Sequence, residues 1–357
     1  MPRITLVPTG ESFPSDPGEP VLTAALRAGL NLPHSCKGGH CASCRARIVS
    51  GTVVYPDGRL PAGITPGEAA ERYALLCEAC AVDDLLVETR EVRPAPDVEV
   101  RNLPCRIERL EQLADDVMAV FLRLPAVEDL HFRAGQYLDF ILSGGRRRSF
   151  SIASAPSDGR LIEVHVRRAS AHGFTGELFD SMQVGTLLRI EGPLGQFWFR
   201  AESPRPALLV GGGTGYAPLR AMLRELLAVD DRRPLRLYRG ARSSPDLYEH
   251  GWLTNLAGAR PGFTYVPVLS EPQCEERPWH GRTGLVHDAV LLDHADDLAR
   301  YDVYASGPPA MVEAVRQEFT ARGLPRDQLF FDSFDYAPDT LAALRTKGIG
   351  AGDRDRG

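Results

Sequence analysis

The sequence predicts a multidomain chain of α+β and α/β parts: a small mixed domain at the N-terminus, an antiparallel β-barrel, and a parallel sheet covered by helices. Three observations predict it. The chain has 357 residues, 43% of them hydrophobic, enough for two or three buried cores. Between Arg101 and about Arg200, short strand-like runs follow one another with turns between them, the pattern of a small barrel. From Pro206 onward, strand and helix patterns alternate, and alternation of this kind builds a parallel sheet. The composition also excludes classes. Lys and Arg number 41 against 47 acidic residues, a net charge of −6, without the basic excess that nucleic acid demands. No apolar run reaches the roughly 18 residues of a membrane span, and Met1-Pro2-Arg3-Ile4-Thr5 lacks the apolar stretch of a signal peptide. The expected location is the cytoplasm.

Residues 1–92 read as the first domain. A strand at Ile4 to Val7 precedes Val21, Leu22, Ala24, Ala25, Leu26 and Ala28, which have helical spacing and end at Gly29. Strand-like Ala46 to Val54, a short helix after Pro66-Gly67 and a strand from Leu85 to Val92 follow. Arg93-Pro94-Ala95-Pro96-Asp97 breaks the pattern, so residues 93–100 read as a linker. In residues 101–200 the expected strands are Cys105 to Leu113, Val117 to Leu124, Gln136 to Leu142, Arg147 to Ser154, Leu161 to Arg168 and Leu187 to Glu191, with one helix at Thr175 to Met182. Residues 201–336 carry strands at Ala207 to Val210, Leu235 to Tyr238, Phe263 to Leu269 and Asp302 to Ala305. Their helices are Ala217 to Ala228 and Ala310 to Arg322, and a polar tail, 337–357, follows.

The 7 cysteines are unevenly spread. Cys36, Cys41 and Cys44 cluster, Cys77 and Cys80 follow, and Cys105 and Cys274 stand alone. An odd count with tight clustering argues for metal rather than disulfides. The gaps from Cys36 to Cys41 and from Cys41 to Cys44 match the plant-type ferredoxin spacing for a 2Fe-2S cluster, with Cys77 as the fourth thiolate. Gly38 and Gly39 let the backbone approach the bridging sulfides. A structural zinc site also uses four cysteines, and Cys77-Glu78-Ala79-Cys80 could supply one of its hairpins; the spacing favours iron–sulfur. Cys80 reads as a buried spare thiol and His40 as a loop surface residue.

With those residues in view, the first ninety or so positions resemble plant-type ferredoxin domains, which implies a beta-grasp-like fold. The rest resembles the ferredoxin-NADP reductase superfamily, which implies a barrel that binds FAD and a parallel-sheet domain that binds NAD(P). Leu103-Pro104, Ala134-Gly135-Gln136-Tyr137 and Arg148-Ser149-Phe150-Ser151-Ile152-Ala153 are similar to CDP-6-deoxy-glucoseen reductase-like proteins and oxygenase reductase components. In the flavin motif, Arg148 and Phe150 fall on one face of a strand. The resemblance implies that Arg148 pairs with the pyrophosphate, that Phe150 offers its ring to the isoalloxazine where tyrosine is common, and that Ser151 hydrogen-bonds the reacting nitrogen. Gly173-Phe174-Thr175-Gly176 opens a helix, and Thr175 matches the residue that binds pyrophosphate. A second phosphate partner favours FAD over FMN.

Gly211-Gly212-Gly213-Thr214-Gly215 follows an apolar strand and precedes a helix, a seat for a pyrophosphate, although Tyr216 stands where the dinucleotide fingerprint has its third glycine. In the superfamily a Gly-Gly-Thr-Gly turn followed by Ala-Pro is the nicotinamide-domain signature, which implies Gly212, Gly213, Thr214 and Gly215. Ala305-Ser306-Gly307-Pro308-Pro309 resembles the later signature near the nicotinamide ring, with Ser306 where cysteine is common, and implies Ser306, Gly307 and Pro308. Ser151 and Ser306 are thus the candidate catalytic pair. Phe330 to Phe334 resembles the C-terminal strand near the flavin. Asp246 would repel a 2′-phosphate and Arg242 would meet one; NADH is the expected donor, NADPH the alternative. The resemblance implies an NAD(P)H:acceptor oxidoreductase that passes electrons from NADH through FAD and a 2Fe-2S cluster to a partner oxygenase component or sugar dehydratase. The rival reading is a redox-sensing iron–sulfur flavoprotein without a turnover partner.

Overall fold

Ile4 and Leu6, two residues apart, point to one face of Arg3–Val7 (β1), and both are fully buried. In the computed structural model, which describes residues 1–34, 39, 44–56, 58–61, 63–89, 93–94, 99–170, 173–272 and 278–334, the chain forms two units, Met1–Glu99 and Val100–Gly357. The first unit contains, after β1, Ser12–Pro14 (β2), Val21–Arg27 (α1), Leu30–Asn31 (β3), Arg45–Ser50 (β4), Val53–Val54 (β5), Pro66–Ala70 (α2), Tyr73–Leu75 (β6), Cys80–Ala81 (β7), Leu85–Glu88 (β8) and Arg93–Pro94 (β9). Its main sheet runs β2-β1-β8-β4-β6, with β1 and β8 parallel and the other pairs antiparallel. Val21, Leu22, Ala24 and Ala25 of α1 are buried in the same core as β1 and β8. One helix held against a mixed sheet is the grasp arrangement expected.

Three expectations change here. The strand read from Ala46 to Val54 divides into β4 and β5, because Gly51 takes φ +89 and a Cβ there would meet the Asp84 carbonyl oxygen at 2.3 Å. The chain therefore turns at Gly51, and β5 pairs with β7 instead. The strand from Leu85 ends at Glu88, and its expected last residues, 90–92, lie outside the described residues. The stretch read as a linker begins with β9, whose Arg93 and Pro94 pair with Asn31 and Leu30.

The second unit opens with Arg101–Ala114 (β10), Val117–Arg123 (β11), Tyr137–Ile141 (β12), Arg147–Ser151 (β13), Leu161–Arg167 (β14), Gly173–Asp180 (α3) and Leu187–Leu194 (β15). All pairs in the sheet β13-β12-β15-β10-β11-β14 are antiparallel, and a bridge between Ile152 and Val164 brings its two edges together. That closure makes the barrel and removes its edges. The remainder comprises Ala207–Gly212 (β16), Tyr216–Ala228 (α4), Leu235–Ala241 (β17), His250–Ala259 (α5), Phe263–Leu269 (β18), Arg282–Thr283 (β19), Val286–His294 (α6), Asp302–Gly307 (β20), Pro309–Ala314 (α7) and Leu329–Ser333 (β21). The sheet order is β19-β18-β17-β16-β20-β21, parallel throughout. The helix expected from Ala310 to Arg322 starts as α7 and passes into a π-helical turn, Val315–Phe319. α5 and α6 escaped the sequence reading; α5 buries only Leu253 fully, so its apolar periodicity is faint.

The order of the last sheet matters for function. From β16 the chain proceeds to β17 on one side and later returns to β20 on the other, so the topological switch lies between β16 and β20. Ligands of open α/β sheets bind at the carboxyl ends of the strands beside such a switch. Barrel and parallel sheet also share aromatic packing: Phe199, Tyr304 and Phe330 stack with centroids 5.1 and 5.0 Å apart. Among the described residues no helix is long and apolar enough to cross a membrane.

Candidate functional site

In the first unit, the register Arg45↔Leu75 carries Cys44 to the level of Leu76, whose N–H donates to the Cys44 carbonyl at 3.2 Å. Cys77 follows directly. Both thiols are buried in the main core. The Tyr55 hydroxyl, which accepts from the Leu75 N–H at 3.2 Å, has its pKa pushed up by burial and then by the charges of Cys44, Cys77 and Glu78. Gly39 takes φ +75, and a Cβ there would lie 2.7 Å from the Glu78 carboxyl and 2.9 Å from Pro61. A backbone cradle that excludes side chains beside two buried thiols suits a cluster with exposed sulfides. Cys36 and Cys41, with Gly38 and His40, lie outside the described residues.

Cys80 is placed differently. It sits in β7, and its Sγ donates to the carbonyls of Gly18 at 3.4 Å and Glu78 at 3.7 Å. Burial raises its pKa. A thiol that donates to carbonyls is protonated, whereas a metal ligand is a thiolate.

On β13, strand alternation sorts the flavin motif. Phe150 is half-buried, its ring 5.7 Å from that of Phe140 and 5.9 Å from that of Phe174. Arg148 shares its face and is half-buried; its Nη1 donates to the Arg147 carbonyl at 2.8 Å. Arg147, on the other face, is claimed by Glu191 and Asp139. Ser151 ends the strand, buried, and its hydroxyl donates to Asp332 Oδ2 at 3.5 Å. Gly173 begins α3 at φ +77, and the Thr175 hydroxyl accepts from the Ala169 N–H at 3.2 Å. The helix begins two residues earlier than expected, so Thr175 lies in its first turn, where N–H groups attract phosphate.

The two nucleotide signatures interlock at the switch point. Gly211 pairs with Ser306 across β16 and β20, and Ser306 with Asp332 across β20 and β21. A Cβ on Gly215 would meet the Ser306 carbonyl oxygen at 2.1 Å, and one on Gly212 would meet Met311 at 2.7 Å and Pro308 at 3.0 Å. Gly213 takes φ +54. Thr214 lies in the 3-10 turn Gly213–Gly215, and Gly307 ends β20 just before Pro308. Ser306 is fully buried, and its hydroxyl has no hydrogen-bond partner among the described residues. An orphaned hydroxyl of this kind calls for a partner that the site receives from outside. Ser151, Asp332 and Ser306 therefore converge, although they come from distant parts of the chain. Asp332 was not singled out by the sequence, yet a carboxylate within Leu329-Phe330-Phe331-Asp332 is itself a signal, since buried acids are rare unless paired.

Asp246 lies in a turn after β17, where its Oδ2 accepts from the Ser243 hydroxyl at 3.2 Å, with Arg167 at 3.9 Å. A second network joins α4 to the barrel. Arg220 of α4 donates to Glu163 Oε2 at 2.8 Å, to the Ala153 carbonyl at 2.9 Å and to Glu249 Oε1 at 2.9 Å. Glu163 stays below the usual carboxylate range: burial pushes it up, and the His165 hydrogen bond and the Arg220 charge outweigh that. Burial pushes His165 down, so the ring is neutral. Its Nε2–H donates to Glu163 at 3.0 Å and its Nδ1 accepts from the Tyr248 hydroxyl at 3.1 Å.

Comparison with known proteins matches three family models in series: a 2Fe-2S iron-sulfur cluster binding domain over residues 4–82, an oxidoreductase FAD-binding domain over 104–199 and an oxidoreductase NAD-binding domain over 209–317. The chain is 35% identical to a CDP-6-deoxy-L-threo-D-glycero-4-hexulose-3-dehydrase reductase of Yersinia pestis, covering 93% of this chain and 98% of the relative. It is 31% identical to the reductase component of phenol 2-monooxygenase from Pseudomonas sp. strain CF600, covering 94% and 95%. A solved cytochrome P450 reductase of Amycolatopsis superposes with a TM-score of 0.73 at 32% identity, covering 94% of this chain and 99% of that one.

Proposed function

This chain belongs to the iron–sulfur flavoprotein reductases composed of 2Fe-2S, FAD-binding and NAD-binding domains, and from that premise we infer which residues carry its electron transfer and whom it serves. It is an NAD(P)H-dependent oxidoreductase. When bound, FAD would supply a hydride acceptor for the nicotinamide and the 2Fe-2S cluster a one-electron carrier. The residues position and tune. Cys36, Cys41, Cys44 and Cys77 hold the cluster. Arg148 and the α3 N-terminus with Gly173 and Thr175 hold the flavin phosphates, and Phe150 borders the ring. Gly212, Gly213, Thr214 and Gly215 seat the nucleotide pyrophosphate, with Gly307 and Pro308 beside the nicotinamide. Ser151 and Ser306 touch the two reacting rings, and Asp332 orients Ser151.

The convergence of Ser151, Asp332 and Ser306 at the switch point carries this reading. NADH is the donor, because the Asp246 carboxylate in the turn after β17 would repel an added 2′-phosphate. Asp246→Asn, which retains an acceptor for Ser243, should raise NADPH use relative to NADH roughly tenfold; paired steady-state rates check it. The acceptor is a partner protein of the oxygenase or sugar-dehydrase class that the relatives serve. The cytoplasm is the compartment that fits, because Cys80 and Cys105 form no disulfide among the described residues. The test is a visible spectrum and iron content of the purified protein, followed by NADH oxidation with reconstituted acceptors. A protein that binds both groups and fails to turn over with any of them would be a sensor instead.

A further inference from the structure

Tyr216, which stands where a dinucleotide fingerprint has glycine, is fully buried at the first position of α4. Its hydroxyl donates to Glu249 Oε2 at 2.9 Å. One helical turn later, Arg220 reaches the same carboxylate with Nε, at 2.9 and 3.0 Å from its two oxygens. The Nη1 of Arg220 crosses to the barrel, to Glu163 on β14 and to the carbonyl of Ala153. Ala153 lies two residues beyond Ser151. A set of hydrogen bonds thus runs from Tyr216, which follows the glycine turn, through Glu249 and Arg220 to Ala153, two residues past the strand that presents Ser151.

The surroundings over-determine this geometry. Arg239, 1% exposed, lies 4.0 Å from the Tyr216 ring centroid and 4.2 Å from that of Tyr248. Glu249 adopts φ +62, a left-handed conformation that a side-chain-bearing residue keeps only when its neighbours enforce it. A planar guanidinium with fixed donor directions transmits orientation, which a flexible ammonium cannot. Hydride transfer is steeply sensitive to the separation and alignment of the two rings.

We propose that Arg220 and Glu249 are positioning residues for hydride transfer, setting the register between the nicotinamide turn and the flavin strand. The proposal rests on the assignment of those two segments to nucleotide and flavin. Neither residue is a catalytic group. Their removal should slow the hydride step while leaving nucleotide affinity and flavin retention in place.

The experiment uses the full-length holoprotein and single-turnover reduction of its flavin by NADH, with 4-deuterated NADH alongside. Arg220→Gln and Glu249→Gln should each lower the rate constant of flavin reduction about tenfold or more, with the dissociation constant of NADH within about twofold and flavin content equal to the parent. Arg220→Lys should recover only part of the rate. Chemical reduction of the flavin by dithionite, followed by electron transfer to a dye, should proceed at the parent rate. Parent-like hydride transfer in Glu249→Gln overturns the proposal, as does a loss confined to NADH affinity. Loss of flavin or of the folded state in both Gln variants also overturns it, since the pair would then be a structural support. A parent protein whose flavin NADH does not reduce refutes the functional assignment itself, a result distinct from all of these.

Discussion

Cys77 and Cys80 lie three positions apart, and their surroundings give them opposite chemistry. Cys77 shares the core beside Cys44, while Cys80 is protonated and donates to the Gly18 carbonyl. Cys77→Ala should abolish cluster binding, and Cys80→Ala should leave iron content at the parent level; iron analysis of both decides, and equal loss would reverse the assignment. Arg148 offers a second test at this scale. Neighbouring Arg147 pairs with Glu191 and Asp139 on the other face, and Arg148 is the strand's guanidinium on the Phe150 face. Arg148→Ala removes a charge-assisted contact worth roughly 1.5–3 kcal/mol, about one to two decades of flavin affinity, readable by titrating FAD into the apoprotein. The cysteine spacing and the Arg148 motif were legible because such motifs are local. Asp332 was not, because its partnership with Ser151 spans 181 positions, and no local pattern encodes a contact of that separation.

Elements, too, depend on what lies across from them. β14 presents Glu163 and His165 towards α4, and the groups facing His165 there are Glu163, Arg220, Glu249 and Tyr248. Burial keeps His165 neutral in the fold, below its unfolded value of about 6.5. A depressed folded pKa means that the unfolded chain binds the proton first as pH falls. The stability tied to His165 is therefore complete above about pH 6.5 and declines as pH drops towards the folded value; Glu163, also depressed, adds a second decline starting near pH 4.3. The melting temperature of the flavin–nucleotide unit should fall through the first window, and His165→Gln should shrink that limb, leaving the share of His250, which burial also lowers, while keeping the second. A flat parent profile between pH 7 and 5 would contradict it. One helix was concealed for a different reason. α6 buries Val286, His287, Ala289, Val290 and His294 on one face, but two of these are histidines while Leu292 is exposed, so hydropathy periodicity does not mark the helix.

At the scale of the whole molecule the chain separates into units with independent cores, Met1–Glu99 and Val100–Gly357. A cluster-free Cys77→Ser protein should keep NADH-driven reduction of a small dye that takes electrons from the flavin, and should lose delivery to the protein partner. Both rates, measured on one preparation, test the serial route; undiminished delivery would show that electrons leave before the cluster. The order of cofactor modules, the barrel and the parallel sheet were determined by the sequence alone, since strand alternation, glycine turns and cysteine spacing act over a few residues. Tertiary structure alone decided the rest: that Gly51 divides a strand, that Cys80 donates to carbonyls, that Ser151 donates to Asp332 on the strand paired with that of Ser306, and that Tyr216 replaces a glycine to hold Glu249. Each of these depends on packing between segments remote in sequence, where the energy of a buried polar group is set by the partner that folding brings to it.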